Sequence, residues 1–277
     1  MIDLGGKTLI FDTLNSQSAA SDLAEAALKT TGRPASYVIN SHWHGDHIRG
    51  NQCFKGAVIF SSLATRNKML EIHPERISDQ QASIPQLRKH IKKLETDLAR
   101  ESNPEKKKKV NIQLNFLKEI EKSLPGLEFT LPDLTFEHKM VFTGNSRQAV
   151  LQTMGGGHTL CDSFLYLPEE EILFAGDLLF SGTHPNIKDG NPINWLGILQ
   201  NIKQLSAKVL VPGHGPVSDE SAITGMECYL TSLLEMADAL HNVEETQIPL
   251  RFEAWEAPEL FSQNLLFLSQ QTFPKNL

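Results

Sequence analysis

The chain has 277 residues, of which 40% are hydrophobic and 21% charged. That is the composition of a folded globular protein with enough chain to bury a core, and it excludes a disordered or fibrous one. The formal charge of −7 argues against a nucleic-acid partner, and no apolar run is long enough to span a bilayer.

In chain order, the first residues (Met1 to Lys7) lack a basic segment followed by an apolar one, so no signal peptide is expected and a cytoplasmic location is. Three cysteines, Cys53, Cys161 and Cys228, are too few for a disulfide framework and suit a reducing compartment. Residues 8–12 read as a strand. Residues 18–30 read as a helix stopped by Gly32-Arg33-Pro34. Tyr37 to Ile39 and Ala57 to Phe60 read as short buried strands. Residues 134–143 and 147–154 read as two strands around the hairpin signal Gly144-Asn145. Phe164 to Leu167 and Ile172 to Ala175 flank a turn at Pro168-Glu169-Glu170. A helix is expected over 192–206, a strand over 209–211, and a helix over 218–241 with Ser218 as its N-cap. The apolar stripe of that last helix is Ile223, Met226, Leu230, Leu233, Ala237 and Leu240. A final helix is expected over 257–270.

Residues 84–124 have a different character. Ile84, Leu87, Ile91, Leu94 and Leu98 repeat at heptad-like spacing, Ser102-Asn103-Pro104 makes a turn, and Val110, Leu114, Leu117 and Leu124 continue a second helix. This predicts an inserted helical hairpin. Its eleven Lys and Arg against six Asp and Glu give +5, so the rest of the chain carries −12. The run Lys106 to Lys109 reads first as a solvated helix face. The hairpin also offers a route to a homo-oligomer.

The histidines are placed with chemical purpose. Asn40-Ser41-His42-Trp43-His44-Gly45-Asp46-His47 follows a strand directly and contains H-x-H-x-D-H. Alternate side chains on a loop after a strand project together, so His42 and His44 can reach one metal while Asp46 and His47 serve a neighbouring position. Imidazole and carboxylate donors suit Zn²⁺, with Mn²⁺ or iron as other occupants. Gly155-Gly156-Gly157-His158 places a histidine at a strand end after close-packing glycines. Leu173 to Asp177 ends an apolar strand in a carboxylate, and Val211-Pro212-Gly213-His214 ends another in a histidine. Strand-to-loop junctions are where α/β sheets build sites.

These motifs, H-W-H-G-D-H (42–47), G-G-H-T (156–159), A-G-D (175–177) and P-G-H-G (212–215), resemble the metallo-β-lactamase superfamily in residue type and order. The resemblance implies an α/β fold, a four-layer αβ/βα sandwich, as a single domain over 1–277 with the 84–124 hairpin inserted. It implies two Zn²⁺ ions, with His42, His44 and His158 on one, Asp46, His47 and His214 on the other, and Asp177 bridging both. Asp177 places the chain nearer glyoxalase II-like, lactonase-like and phosphodiesterase-like members than the β-lactamases proper. Lactonase-like members often carry tyrosine where this chain has Phe180, which weighs against an acyl-homoserine lactonase.

The resemblance further implies a dinuclear hydrolase acting on a small-molecule ester, thioester, lactone or amide. A hydroxide shared by the metals is the nucleophile, and Asp46 orients it and takes its proton. Asp12, at the end of the first strand, is the candidate partner that orients the His42–His47 loop. Phe180, His184, Asn191 and Trp195 follow Asp177 and are candidates to line the substrate. The alternatives on the same scaffold are an iron-dependent persulfide dioxygenase-like oxidoreductase and a phosphodiesterase or nuclease. The hairpin's aromatic content, Phe116 alone, is poor for base stacking.

Overall fold

The computed structural model describes residues 1–239 and 247–271. Leu240, expected in an apolar stripe, and the end of the helix expected over 218–241 lie outside the described residues. The described residues form a mixed α/β fold with two five-stranded sheets and eight α-helices. They divide into two compact units. One comprises Met1–Asp3, Lys7–Phe60 and Arg66–Leu134; the other comprises Leu4–Gly6, Ser61–Thr65 and Thr135–Leu277.

The first sheet has the order β1-β2-β3-β4-β5, with β1 (Ile2–Asp3), β2 (Thr8–Phe11), β3 (Ala35–Ile39), β4 (Val58–Ser62) and β5 (Leu134–Phe136). β1 pairs antiparallel with β2, an addition to the expected elements. β2, β3 and β4 run parallel. Parallel neighbours need a crossover, and α1 (Gln17–Thr31) supplies the first. Ser16 caps its start by accepting from Ala19 N, and Gly32 ends it at φ 70°, a left-handed position that glycine adopts without strain. Its small residues Ala20 and Ala27 let the helix lie close on Ile10, Val38 and Ile59.

After β3 comes a one-turn helix, α2 (Gly45–Ile48), and after β4 a long helix, α3 (Leu63–Ala82). α3 is an addition to the expected elements. Pro74 lies inside it, and its apolar residues lack a sustained helical repeat. The hairpin forms as expected from α4 (Ile84–Arg100) and α5 (Pro104–Ser123). Ile91 and Leu114 are buried in it, while Lys106 to Lys109 are exposed. Its ion pairs, Arg88 with Glu121 and Lys118 with Glu95, are exposed and contribute little.

The second sheet has the order β10-β9-β8-β7-β6, with β6 (Lys139–Thr143), β7 (Gln148–Thr153), β8 (Ser163–Leu167), β9 (Ile172–Phe180) and β10 (Val209–His214). β6 to β9 form an antiparallel meander, and β10 joins β9 in parallel after α6 (Pro192–Lys203). Two expectations need correction here. The single strand expected over 134–143 is two: β5 belongs to the first sheet and β6 to the second, with Glu137-His138 between them. β9 does not stop at Ala175 but runs to Phe180, so Asp177 sits within the strand.

α7 (Glu220–Asp238) and α8 (Glu259–Ser269) complete this unit. Asp219, not Ser218, caps α7; Ser218 exchanges backbone hydrogen bonds with Leu210 and cannot start the helix. Trp195, Leu199, Ile223, Met226, Tyr229 and Leu230 fill the core against β9 and β10. Each such side chain contributes roughly 1.5–3 kcal/mol by leaving water. Among the described residues no helix is long and apolar enough to cross a membrane.

Candidate functional site

The first donor set lies at the carboxyl end of β3. Asp12, which follows β2, is buried and holds φ 59°, a left-handed conformation that aspartate tolerates better than most residues. Its carboxylate accepts three hydrogen bonds, from Ser41 N at 2.7 Å, Ser41 Oγ at 2.7 Å and His47 Nδ1 at 2.8 Å. The tautomers follow. His47 donates its Nδ1–H to the Asp12 carboxylate, which leaves Nε2 with the lone pair. Ser41 gives its only proton to Asp12, so its Oγ accepts from His42 Nδ1 at 3.0 Å and His42 Nε2 also keeps its lone pair. The three imidazoles are bunched, with His42 ring centroids 4.7 Å from His44 and 4.3 Å from His47. Asp46 and His47 lie in α2 rather than in an open loop, with Asp46 Oδ2 3.6 Å from His47 Nε2. Behind them Asn40 and Asn51 exchange amide hydrogen bonds at 2.9 Å, and Thr13 Oγ1 donates to Asn51, bracing the turn.

Cationic side chains border this loop. Burial pulls the Arg49 guanidinium below its ordinary value, Asp46 opposes that, and Arg76 adds to it. Burial also keeps His73 below the usual histidine range; its Nε2–H donates to the Trp43 carbonyl at 2.6 Å.

The second donor set lies on β9, β10 and the loop between β7 and β8. His158 Nε2 is 3.2 Å and His214 Nε2 3.4 Å from the same oxygen, Asp177 Oδ2. His158 and Asp177 are almost fully buried. The register of β10 against β9 shifts around Pro212, and Gly213 falls beside Asp177. A Cβ at Gly213 would stand 2.0 Å from Asp177 Oδ1, so only glycine fits. The His158 loop is held by Asp162, whose buried carboxylate accepts from Gly157 N, Thr159 N and Thr159 Oγ1 at 2.7–2.9 Å. Burial pushes that carboxyl up to about 6, against the pull of those hydrogen bonds.

Phe180 stacks on His214 at 5.2 Å and lies 5.4 Å from His158. Trp195 meets His158 edge-on at 5.6 Å and donates its indole N–H to Leu178 O. Asn191 caps α6 through its side-chain oxygen. His184 is buried against Tyr229, Trp255 and Phe261, with Nδ1 3.1 Å from the Tyr229 hydroxyl. Tyr229 in turn meets Asn264. Burial lowers His184 and raises Tyr229. Cys161 is buried beside Thr159, and none of the three cysteines is disulfide-bonded.

Fold and donor sets together define a two-sheet α/β protein whose histidines and aspartates form groups that could hold a metal ion. A family profile described as the metallo-beta-lactamase superfamily matches residues 1–214, and the chain belongs to that superfamily. The chain is 25% identical over 222 residues to a beta-lactamase-like protein 2 homolog of Caenorhabditis elegans, covering 79% of this chain and 56% of that protein. It is 40% identical over 55 residues to a hydroxyacylglutathione hydrolase of Bartonella henselae, covering 20% of this chain and 22% of that one. The chain thus spans about half the length of the first relative and less of the second. A metallo-beta-lactamase from Pontibacter korlensis has a similar fold, with a TM-score of 0.59, 20% identity, and coverage of 82% and 84% of the two chains.

Proposed function

We propose that the protein is a dinuclear zinc-dependent hydrolase that cleaves an ester, thioester, lactone or amide bond in a small molecule. In this reading residues 1–277 make a single domain of the family's type with the 84–124 hairpin inserted. As the family resemblance implies, His42, His44 and His158 would hold one ion and Asp46, His47 and His214 the other, with Asp177, which lies near both His158 and His214, as the shared ligand. The observation that carries it is the approach of two imidazole Nε2 atoms to one buried carboxylate oxygen, at 3.2 and 3.4 Å. The donor chemistry fits: the set contains imidazoles and carboxylates and no thiolate, the pattern of a zinc site that Mn²⁺ or iron also accepts. The likeness to a hydroxyacylglutathione hydrolase supports a thioester among the substrates.

When bound, two divalent cations supply a water of lowered pKa and polarise the scissile carbonyl. The protein's own groups do the rest. Asp12 and Ser41 hold His47 and His42 in the tautomer that presents Nε2. Asp46 Oδ2 accepts the proton of the attacking water. Asp162 fixes the His158 loop, and Phe180 and Trp195 give the second donor set a dry apolar backing. Three scattered cysteines are too few for a disulfide framework, which supports a cytoplasmic location.

Metal analysis and a hydrolysis panel on zinc-loaded protein test this reading. The panel holds nitrocefin, lactones, acyl-CoA and glutathione thioesters, and phosphodiesters. Roughly two zinc ions per chain with turnover of a carbonyl substrate is the expected result. Well under one ion per chain with no turnover overturns it. A single iron with oxygen uptake on glutathione persulfide moves the protein to dioxygenase chemistry.

A further inference from the structure

Two arginines flank the 42–47 loop. Arg49 directly follows α2, and Arg76 lies exposed on α3. Arg76 Cζ stands 5.4 Å from the centroid of the Trp43 ring, which also meets the His44 ring at 4.5 Å and the His73 ring at 6.2 Å. Arg49 lies against the backbone of Gly45, where a Cβ would meet its Nε at 3.0 Å. Its Nη1 donates to Asn15 Oδ1 at 2.8 Å and its Nη2 to Gln80 Oε1 at 2.9 Å. Those partners are neutral amides. They fix the plane of the guanidinium without cancelling its charge.

Gln80, which accepts from Arg49 Nη2, lies four residues after Arg76 on α3, so the helix carries Arg76 and the partner of Arg49 on one face. Asp46 is the carboxylate that attracts Arg49, and in the reading above it is a cation ligand. Among the described residues, neither arginine forms a salt bridge. Guanidinium forks match carboxylate and phosphate oxygens. One fork here is preset by two amides and the other is stacked on an indole face.

We propose that Arg49 and Arg76 form an oxyanion-binding subsite next to His44 and Asp46, so that the substrate is anionic and presents a carboxylate or phosphate to these two side chains. This rests on the hydrolase reading for the fate of the substrate, but the anion site stands on unit-internal geometry alone.

The test uses the zinc-loaded full chain and the variants Arg76→Gln and Arg76→Lys, since an exposed helical position tolerates both. Three substrates are compared: mono-p-nitrophenyl glutarate, p-nitrophenyl pentanoate (the same acyl length without the second carboxylate), and bis-p-nitrophenyl phosphate. The expected result is a preference of about tenfold in kcat/KM for the glutarate ester over the pentanoate, lost in Arg76→Gln mainly through KM and partly restored in Arg76→Lys. A loss confined to the phosphate diester identifies phosphate as the recognised anion. Equal rates on charged and neutral esters, or equal losses on both, overturn the subsite and leave the hydrolase standing.

A second readout needs no turnover. Glutarate or inorganic phosphate is expected to raise the melting temperature of the wild type more than that of Arg76→Gln. If none of the three is cleaved, the melting shift alone decides the subsite, and the hydrolase reading is decided by its own metal analysis and substrate panel. Equal shifts in both proteins sink it.

Discussion

Replacing Asp12 by asparagine keeps the shape of the side chain and removes only its ability to accept on both oxygens. In the wild type, Oδ1 accepts from Ser41 N, while Oδ2 accepts from Ser41 Oγ and His47 Nδ1. An amide has one accepting end. In one orientation its NH₂ faces the Ser41 hydroxyl proton and the His47 Nδ1–H; in the other it faces the Ser41 backbone N–H. Either way donor meets donor in a buried place. Two hydrogen bonds to a charged acceptor, each worth roughly 1.5–3 kcal/mol, are lost or weakened, and about 3 kcal/mol of stability goes with them. The cheapest relief is for His47 to move its proton to Nε2, which takes away the lone pair the cation needs. Asp12→Asn is therefore expected to weaken zinc binding about 10- to 100-fold as well. Urea unfolding of the metal-free protein measures the first effect, and competition with a chromophoric chelator measures the second. Stability unchanged within about 1 kcal/mol, together with undiminished zinc affinity, would refute the tautomer argument.

Asp177→Ala is expected to leave less than one zinc ion per chain and to cut turnover by orders of magnitude; two ions retained at wild-type rate would show that the shared ligand is misassigned. The Asp162 carboxyl sits at about 6 in the fold against an ordinary 3.8, so between those values the native state holds a proton that the unfolded chain releases. Stability should thus fall as pH rises from 4 towards 6, by about 3 kcal/mol from this group, and Asp162→Asn should flatten that slope in pH-dependent denaturation; an unchanged slope contradicts it. Excising residues 84–123 with a short linker should preserve zinc binding, read by metal analysis, because the hairpin buries its own stripe; loss of both ions would make it part of the metal-bearing core.

The donor motifs were legible because metal chemistry restricts residue type at close spacing, as in His42, His44, Asp46 and His47. The hairpin was legible because its two stripes repeat without interruption. What escaped has physical reasons. Ser41 and Asp162 are ordinary polar letters whose roles come from hydrogen bonds closed only by the backbone turn. Arg49 and Arg76 are separated in the chain by β4 and part of α3, so no local pattern couples them. Pro74 masked α3, because a proline inside a helix reads as a stop. Two residues, Glu137 and His138, suffice to hand the chain from one sheet to the other, and an apolar run does not announce such a change.

The box around His184 bears on how this chain can be cut or recombined. Its walls, Tyr229, Trp255 and Phe261, and the Asn264 amide that meets Tyr229, all come after residue 214, where the family match ends. A splice made at the edge of the recognisable family would strip the cover from a sealed imidazole a few positions beyond the strand that carries Asp177. The family match therefore ends before the residues that complete the packing around His184. Chimeras should be joined after α8 rather than at the end of β10.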